Sequence, residues 1–139
     1  MDNSNAHILF VDDEALILRA LERLSQNITA HCHFCESGAA ALALMEEQAI
    51  DVVVSDMQMP EMSGAEFLAE VAARYPDTIR IVLTGHTETE MVMSAVNEGR
   101  IWGFITKPWD DNHLLLSLEQ AIFTQQALGN VLVTVSLFL

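Results

Sequence analysis

The chain has a single lysine, Lys107, set in Ile105-Thr106-Lys107-Pro108. Upstream stand an acidic pair, Asp12-Asp13, and a lone aspartate, Asp56, each just after an apolar run, and Thr84 closes another such run. Carboxylates, a hydroxyl and an ammonium gathered at one sheet edge would make a site for a divalent cation and a phosphoryl group. Carboxylates crowded together repel and raise one another's pKa unless a cation neutralises them, which makes a hard cation with oxygen ligands, Mg²⁺, the expected cofactor. Asp56 would serve as a carboxylate nucleophile, and Lys107 would offset the charge that phosphoryl transfer develops.

These residues can meet only if the elements carrying them share an edge. The runs His7 to Val11, Thr29 to Cys35, Asp51 to Ser55, Ile79 to Leu83 and Trp102 to Thr106 read as strands. Between and after them, Ala15 to Gln26, a Ser37-capped segment to Glu47, Ala65 to Arg74, Glu88 to Glu98 (stopped by Gly99) and Asp110 to Leu128 read as helices. Strands alternating with helices predict βαβ units, a parallel sheet and an α/β fold with helices on both faces. The third strand, apolar and β-branched, reads as central. Asp12, Asp13, Asp56, Thr84 and Lys107 each close a strand, so all five project onto one rim of such a sheet.

Composition narrows the function further. A formal charge of −14 and six scattered basic residues argue against direct nucleic-acid binding. The polar start lacks a signal-peptide pattern, and the apolar stretch 131–139 is far shorter than the roughly 20 residues that span a bilayer. A cytoplasmic protein without membrane attachment is expected. Cys32 and Cys35 form a C-x-x-C pair, but on a strand residues three apart face opposite ways, which predicts two free thiols rather than a disulfide or zinc site. One domain over residues 5–128 is expected. The uncharged, β-branched tail 129–139 looks extended. It is read either as a run-on of the last helix or the cut end of a longer protein, starting a linker to an absent output domain, or as a self-association segment pairing through an open edge.

Phe10-Val-Asp-Asp-Glu14, Ser55-Asp-Met-Gln-Met-Pro60, Gly64, Leu83-Thr-Gly85 and Ile105-Thr-Lys-Pro108 resemble the signature positions of the response-regulator receiver domain of two-component signalling, over residue 7 to about 125. The resemblance implies a doubly wound, flavodoxin-like five-stranded sheet in the order 2-1-3-4-5. It implies that Asp56 accepts a phosphoryl group from a sensor histidine kinase or phosphotransfer protein. Asp13, Asp56 and the Gln58 carbonyl would ligate Mg²⁺, with Asp12 acting mainly through water. Lys107 would pair with phosphoryl oxygens, the Thr84 hydroxyl would swing toward them, and Phe104 would be the aromatic switch. Gln58 and His86 stand where members tune loss of the acyl phosphate.

One extra residue before the fifth strand, with Trp109 after the proline, is similar to a receiver subgroup attached to cyclic-dinucleotide phosphodiesterase or ATPase-type activator domains. Trp102, Trp109 and His113, with Glu88 and Glu90, are expected to border an exposed partner face on the fourth helix, fifth strand and fifth helix. A homodimer is possible, but salt-bridged pairing through that face is disfavoured because Arg100 is the one basic residue there. No separate enzyme activity is expected beyond self-catalysed phosphotransfer and autodephosphorylation. Two rivals remain: a phosphorylation-independent interaction module, and a haloacid-dehalogenase-type phosphatase, for which the first strand is followed by Asp12-Asp13-Glu14 rather than Asp-x-Asp and the length is too small for a cap domain.

Overall fold

A computed structural model describes residues 5–85, 89–97 and 101–138, without the side chains of 89, 91 and 129–138. The elements run β1 (His7–Val11), α1 (Ala15–Ser25), β2 (His31–Cys35), α2 (Gly38–Glu47), β3 (Val52–Asp56), α3 (Gly64–Arg74), β4 (Ile79–Thr84), α4 (Thr89–Asn97), β5 (Gly103–Thr106) and α5 (Asp111–Phe138). All strand pairs are parallel, in the order β2-β1-β3-β4-β5. This is the flavodoxin-like arrangement, with its crossing point between β1 and β3, and a ligand crevice belongs at the carboxyl ends there.

Strand alternation divides the core between two faces. Ile8 and Phe10 of β1 pack with Leu18, Leu21 and Leu24 of α1 and with Leu114, Leu118 and Ile122 of α5. Leu9 and Val11 turn the other way, toward Ala41 and Leu42 of α2, Phe67 and Leu68 of α3, and Val92 of α4. Every residue of β3 is buried, as expected of a central strand covered on both faces, including the polar Ser55 and Asp56 at its end. The thiols obey the same rule: Cys32 packs on the first face, Cys35 on the second, and both are free.

Local chemistry fixes the helix starts. Ser37 Oγ accepts the Ala40 N–H, and Ser63 with Glu66 forms a reciprocal capping box on α3. Asp110 Oδ1 accepts the His113 N–H at 3.1 Å, so Asp110 caps α5 rather than belonging to it. The tail differs from its extended appearance in sequence: the backbone of α5 continues helically to Phe138. The strand-pairing form of self-association is thereby corrected. β-Branched residues lower helix propensity only slightly, and a helix already running from Asp111 offers propagation without new nucleation. Among the described residues no helix is long and apolar enough to cross a membrane.

Candidate functional site

β1, β3 and β4 end at the same level of the sheet, because Val11 pairs with Ser55, Asp56 with Leu83, and Thr84 with Thr106. Side chains just past these ends therefore converge. Lys107 Nζ donates to Asp12 Oδ2 at 2.9 Å and to Asp56 Oδ1 at 3.0 Å, across 95 and 51 positions of sequence. Asp12 is fully buried and Asp56 nearly so, whereas Asp13 is exposed at the mouth.

Backbone groups hold these carboxylates in place. The Glu14 N–H donates to Asp12 Oδ1 at 2.9 Å, and the Met57 N–H donates to Asp56 Oδ1 at 2.9 Å. The Met57 contact has no sequence signal, because every residue but proline carries an N–H; the fold alone aims this one. Ser55 Oγ donates to the Asp56 carbonyl at 2.9 Å, a tie that sequence reasoning also missed. Gly64 closes over the loop: its N–H donates to the Met57 carbonyl at 2.9 Å, and a Cβ there would lie 1.9 Å from the Asp56 carbonyl oxygen. Only glycine permits that approach.

Burial raises the Asp56 pKa, and the Asp12 charge adds to the rise while the Lys107 hydrogen bond opposes it. Burial alone would lower the Lys107 pKa, but its hydrogen bonds to Asp12 and Asp56 and their charges together outweigh burial and raise it. One ammonium thus faces an excess of carboxylate. Ligand oxygens of Asp12, Asp13 and Asp56 all lie within 4.8 Å of one another. An all-oxygen, negatively charged donor set at that spacing suits a hard divalent cation.

Thr84 is buried beside this cluster, and its hydroxyl donates to the Gly85 carbonyl at 3.1 Å. Val82 pairs with Phe104 and Thr84 with Thr106, so Thr84 and Phe104 are diagonal neighbours on one face of the sheet. Phe104 is half-buried against the α2–α4 side of the core. Gln58 is exposed just beyond Asp56, while His86 and Glu88 lie outside the described residues.

The sheet thus brings Asp12, Asp13, Asp56 and Lys107 together, with Thr84 and Phe104 alongside. On the expected partner face, Trp102 and His113 are exposed. Trp109 is not: it is half-buried against the α1–α5 side, with Nε1 donating to Asp111 Oδ1 at 3.0 Å. The chain turn after Pro108 carries its indole onto apolar surface, where Asp111 satisfies its one polar atom.

Comparisons with known proteins agree with this geometry. The profile of the response regulator receiver domain matches residues 8–119. The hydrogenase transcriptional regulatory protein HoxA of Cupriavidus necator is 36% identical over 132 residues, covering 94% of this chain and 27% of that protein. The DNA-binding transcriptional regulator NtrC of Escherichia coli is 31% identical over 112 residues, 81% of this chain and 24% of its own length. The chain therefore spans about a quarter of the length of these curated relatives. Among solved structures, the signal receiver domain of an HD domain-containing protein from Pseudomonas fluorescens superposes with a TM-score of 0.85 at 36% identity, covering 91% of this chain and 93% of that one.

Proposed function

The chain belongs to the response regulator receiver family, and from that premise we propose that Asp56 is its phosphoacceptor, served by Lys107, Thr84 and a Mg²⁺ ion. The observation that carries this reading is the pair of bonds from Lys107 Nζ to Asp12 and Asp56. It ties a carboxylate nucleophile, a counter-charge and a cation-binding acid into one buried cluster.

Asp13, Asp56 and the Gln58 carbonyl would hold Mg²⁺, with Asp12 reaching it through water. Bound there, the ion supplies neutralising charge and orients the incoming phosphoryl oxygens. An Asp56 carboxylate oxygen attacks phosphorus while the P–N bond of a phosphohistidine breaks, and the leaving imidazole keeps the electron pair of that bond. The Met57 N–H and Lys107 hold the Asp56 carboxylate in register for the attack. Lys107 then bonds a phosphoryl oxygen. The product adds nearly two negative charges beside Thr84, whose hydroxyl exchanges the Gly85 carbonyl for phosphate. Space vacated by Thr84 is open to the ring of Phe104, which lies diagonally across the same sheet face. Gln58 and His86 would set how readily water reaches the acyl phosphate.

The donor on this reading is a sensor histidine kinase or phosphotransfer protein in the cytoplasm. Residues 5–128 act as the receiver unit, and the continuing helix leads toward an output domain in the whole protein, as the length of the relatives suggests. The α4–β5–α5 face would carry the signal to that domain or to a partner.

Incubation with acetyl phosphate and Mg²⁺ followed by intact mass measurement tests the proposal. The wild-type chain should gain one phosphoryl group, and Asp56→Asn should gain none. An unmodified wild-type chain would mark a phosphorylation-independent module; continuous turnover of acetyl phosphate without a stable adduct would mark a phosphatase.

A further inference from the structure

His7, His31 and His33 gather where β1 and the edge strand β2 begin, at the end of the sheet away from Asp56. His31 and His33 are two apart on one strand, so both side chains leave by the same face, and register sets His7 directly beside His31. His7 Nδ1 lies 3.0 Å from His33 Nε2. Those ring centroids are 5.3 Å apart with planes at 18°, a separation that at this nitrogen distance places the rings edge to edge, nearly in one plane. Each imidazole thus directs an in-plane nitrogen at the other. The His31 ring lies against His7 at 4.7 Å between centroids.

We propose that His7, His31 and His33 form a capture site for a borderline divalent cation of the Zn²⁺ class, separate from the acidic rim. Imidazole nitrogens are the donors such ions prefer, and three of them leave further positions to water. Rotation of both rings away from the nitrogen–nitrogen axis converts the N–H···N contact into two lone pairs aimed at one ion, the bridging proton moving to the other nitrogen of its ring. His31 is exposed, with its ring stacked on His7, and joins the ion by rotating its own side chain at its free edge. His7 is held from behind, its backbone N–H donating to Asp51 Oδ2 at 2.8 Å. Five residue steps along β1 separate His7 from Asp12, about 17 Å at the usual strand rise. The two ends also differ in donor hardness, oxygen against nitrogen, so Mg²⁺ and Zn²⁺ sort between them.

Calorimetric titration of the 139-residue chain with ZnCl₂ in saturating Mg²⁺ tests this. One Zn²⁺ should bind per chain, and His33→Gln and His31→Gln should each weaken binding by roughly tenfold or more. Asp13→Asn should leave Zn²⁺ affinity unchanged. At equal Zn²⁺ the Tm of the wild type should rise more than that of His33→Gln, whose cooperative melt reports that it folds. Phosphoryl uptake from acetyl phosphate should be the same in His33→Gln as in the wild type, which separates this site from the acceptor. Absence of saturable binding overturns the proposal. So does binding that survives both histidine substitutions, or that Asp13→Asn or Cys35→Ser abolishes.

Discussion

At the amino-terminal end of the sheet, polar side chains close backbone hydrogen bonds: Asp51 Oδ2 accepts the His7 N–H at 2.8 Å, and Thr78 Oγ1 donates to the Ile50 carbonyl at 2.8 Å. At the carboxyl end, Asp12 and Asp56 are buried with a single ammonium between them, and Asp13 adds further negative charge at the mouth. The Asp51 and Thr78 bonds need no ligand to be complete. The carboxyl end is satisfied only in part, because burying unbalanced charge costs more than one Lys107 returns. Closed backbone hydrogen bonds and uncompensated carboxylate charge are thus built into opposite ends of the same strands.

The largest effect that would sharpen this contrast is at the acceptor. Asp56→Asn should abolish phosphoryl uptake, seen as intact mass, yet raise the Tm of the metal-free protein at pH 7, since it removes excess buried charge and leaves Lys107 paired with Asp12. A fall in Tm would break the comparison. Lys107→Ala leaves two buried carboxylates without a cation and should cost roughly 3–5 kcal/mol by urea unfolding, a loss that Mg²⁺ partly restores. At the opposite end, Asp51→Ala strands the His7 N–H and should cost about 1–2 kcal/mol while leaving phosphoryl uptake intact.

The smallest effect concerns pH. The folded-state pKa of His33 is lowered by burial and by His7 and His31, so the unfolded chain takes up a proton first. Its contribution to stability is present above the ordinary histidine pKa and is lost as pH falls through the depressed one. Unfolding free energy should therefore decline below about pH 6.5, and the decline should be shallower in His33→Gln.

Much of this was legible in the chain itself. Short apolar runs ending in Asp12, Asp56, Thr84 and Lys107 located the strands and the rim, because a parallel sheet forces side chains after adjacent strand ends to converge. The opposed faces of Cys32 and Cys35 followed from alternation alone. Other features depend on register or on backbone direction. The Met57 N–H on Asp56 has no residue-type signature. The histidine cluster joins residues 24 and 26 positions apart, visible only once β1 is aligned with β2. His31-x-His33 was the available hint. Trp109 looked exposed because aromatic residues after a proline offer no sign of which way the chain turns. The tail looked extended because propensity was read without the helix that precedes it.

Gly64 leaves no room behind Asp56, since even a methyl group there would overlap the Asp56 carbonyl oxygen. The floor beneath Asp56 is therefore a stiff backstop of main chain, joined to the first turn of α3. A phosphoryl group on Asp56 would meet this main chain on its inner side. On the function proposed above, displacement at Asp56 would then fall on the neighbouring strand ends that carry Thr84 and Lys107, which would give the signal a direction before any partner is present.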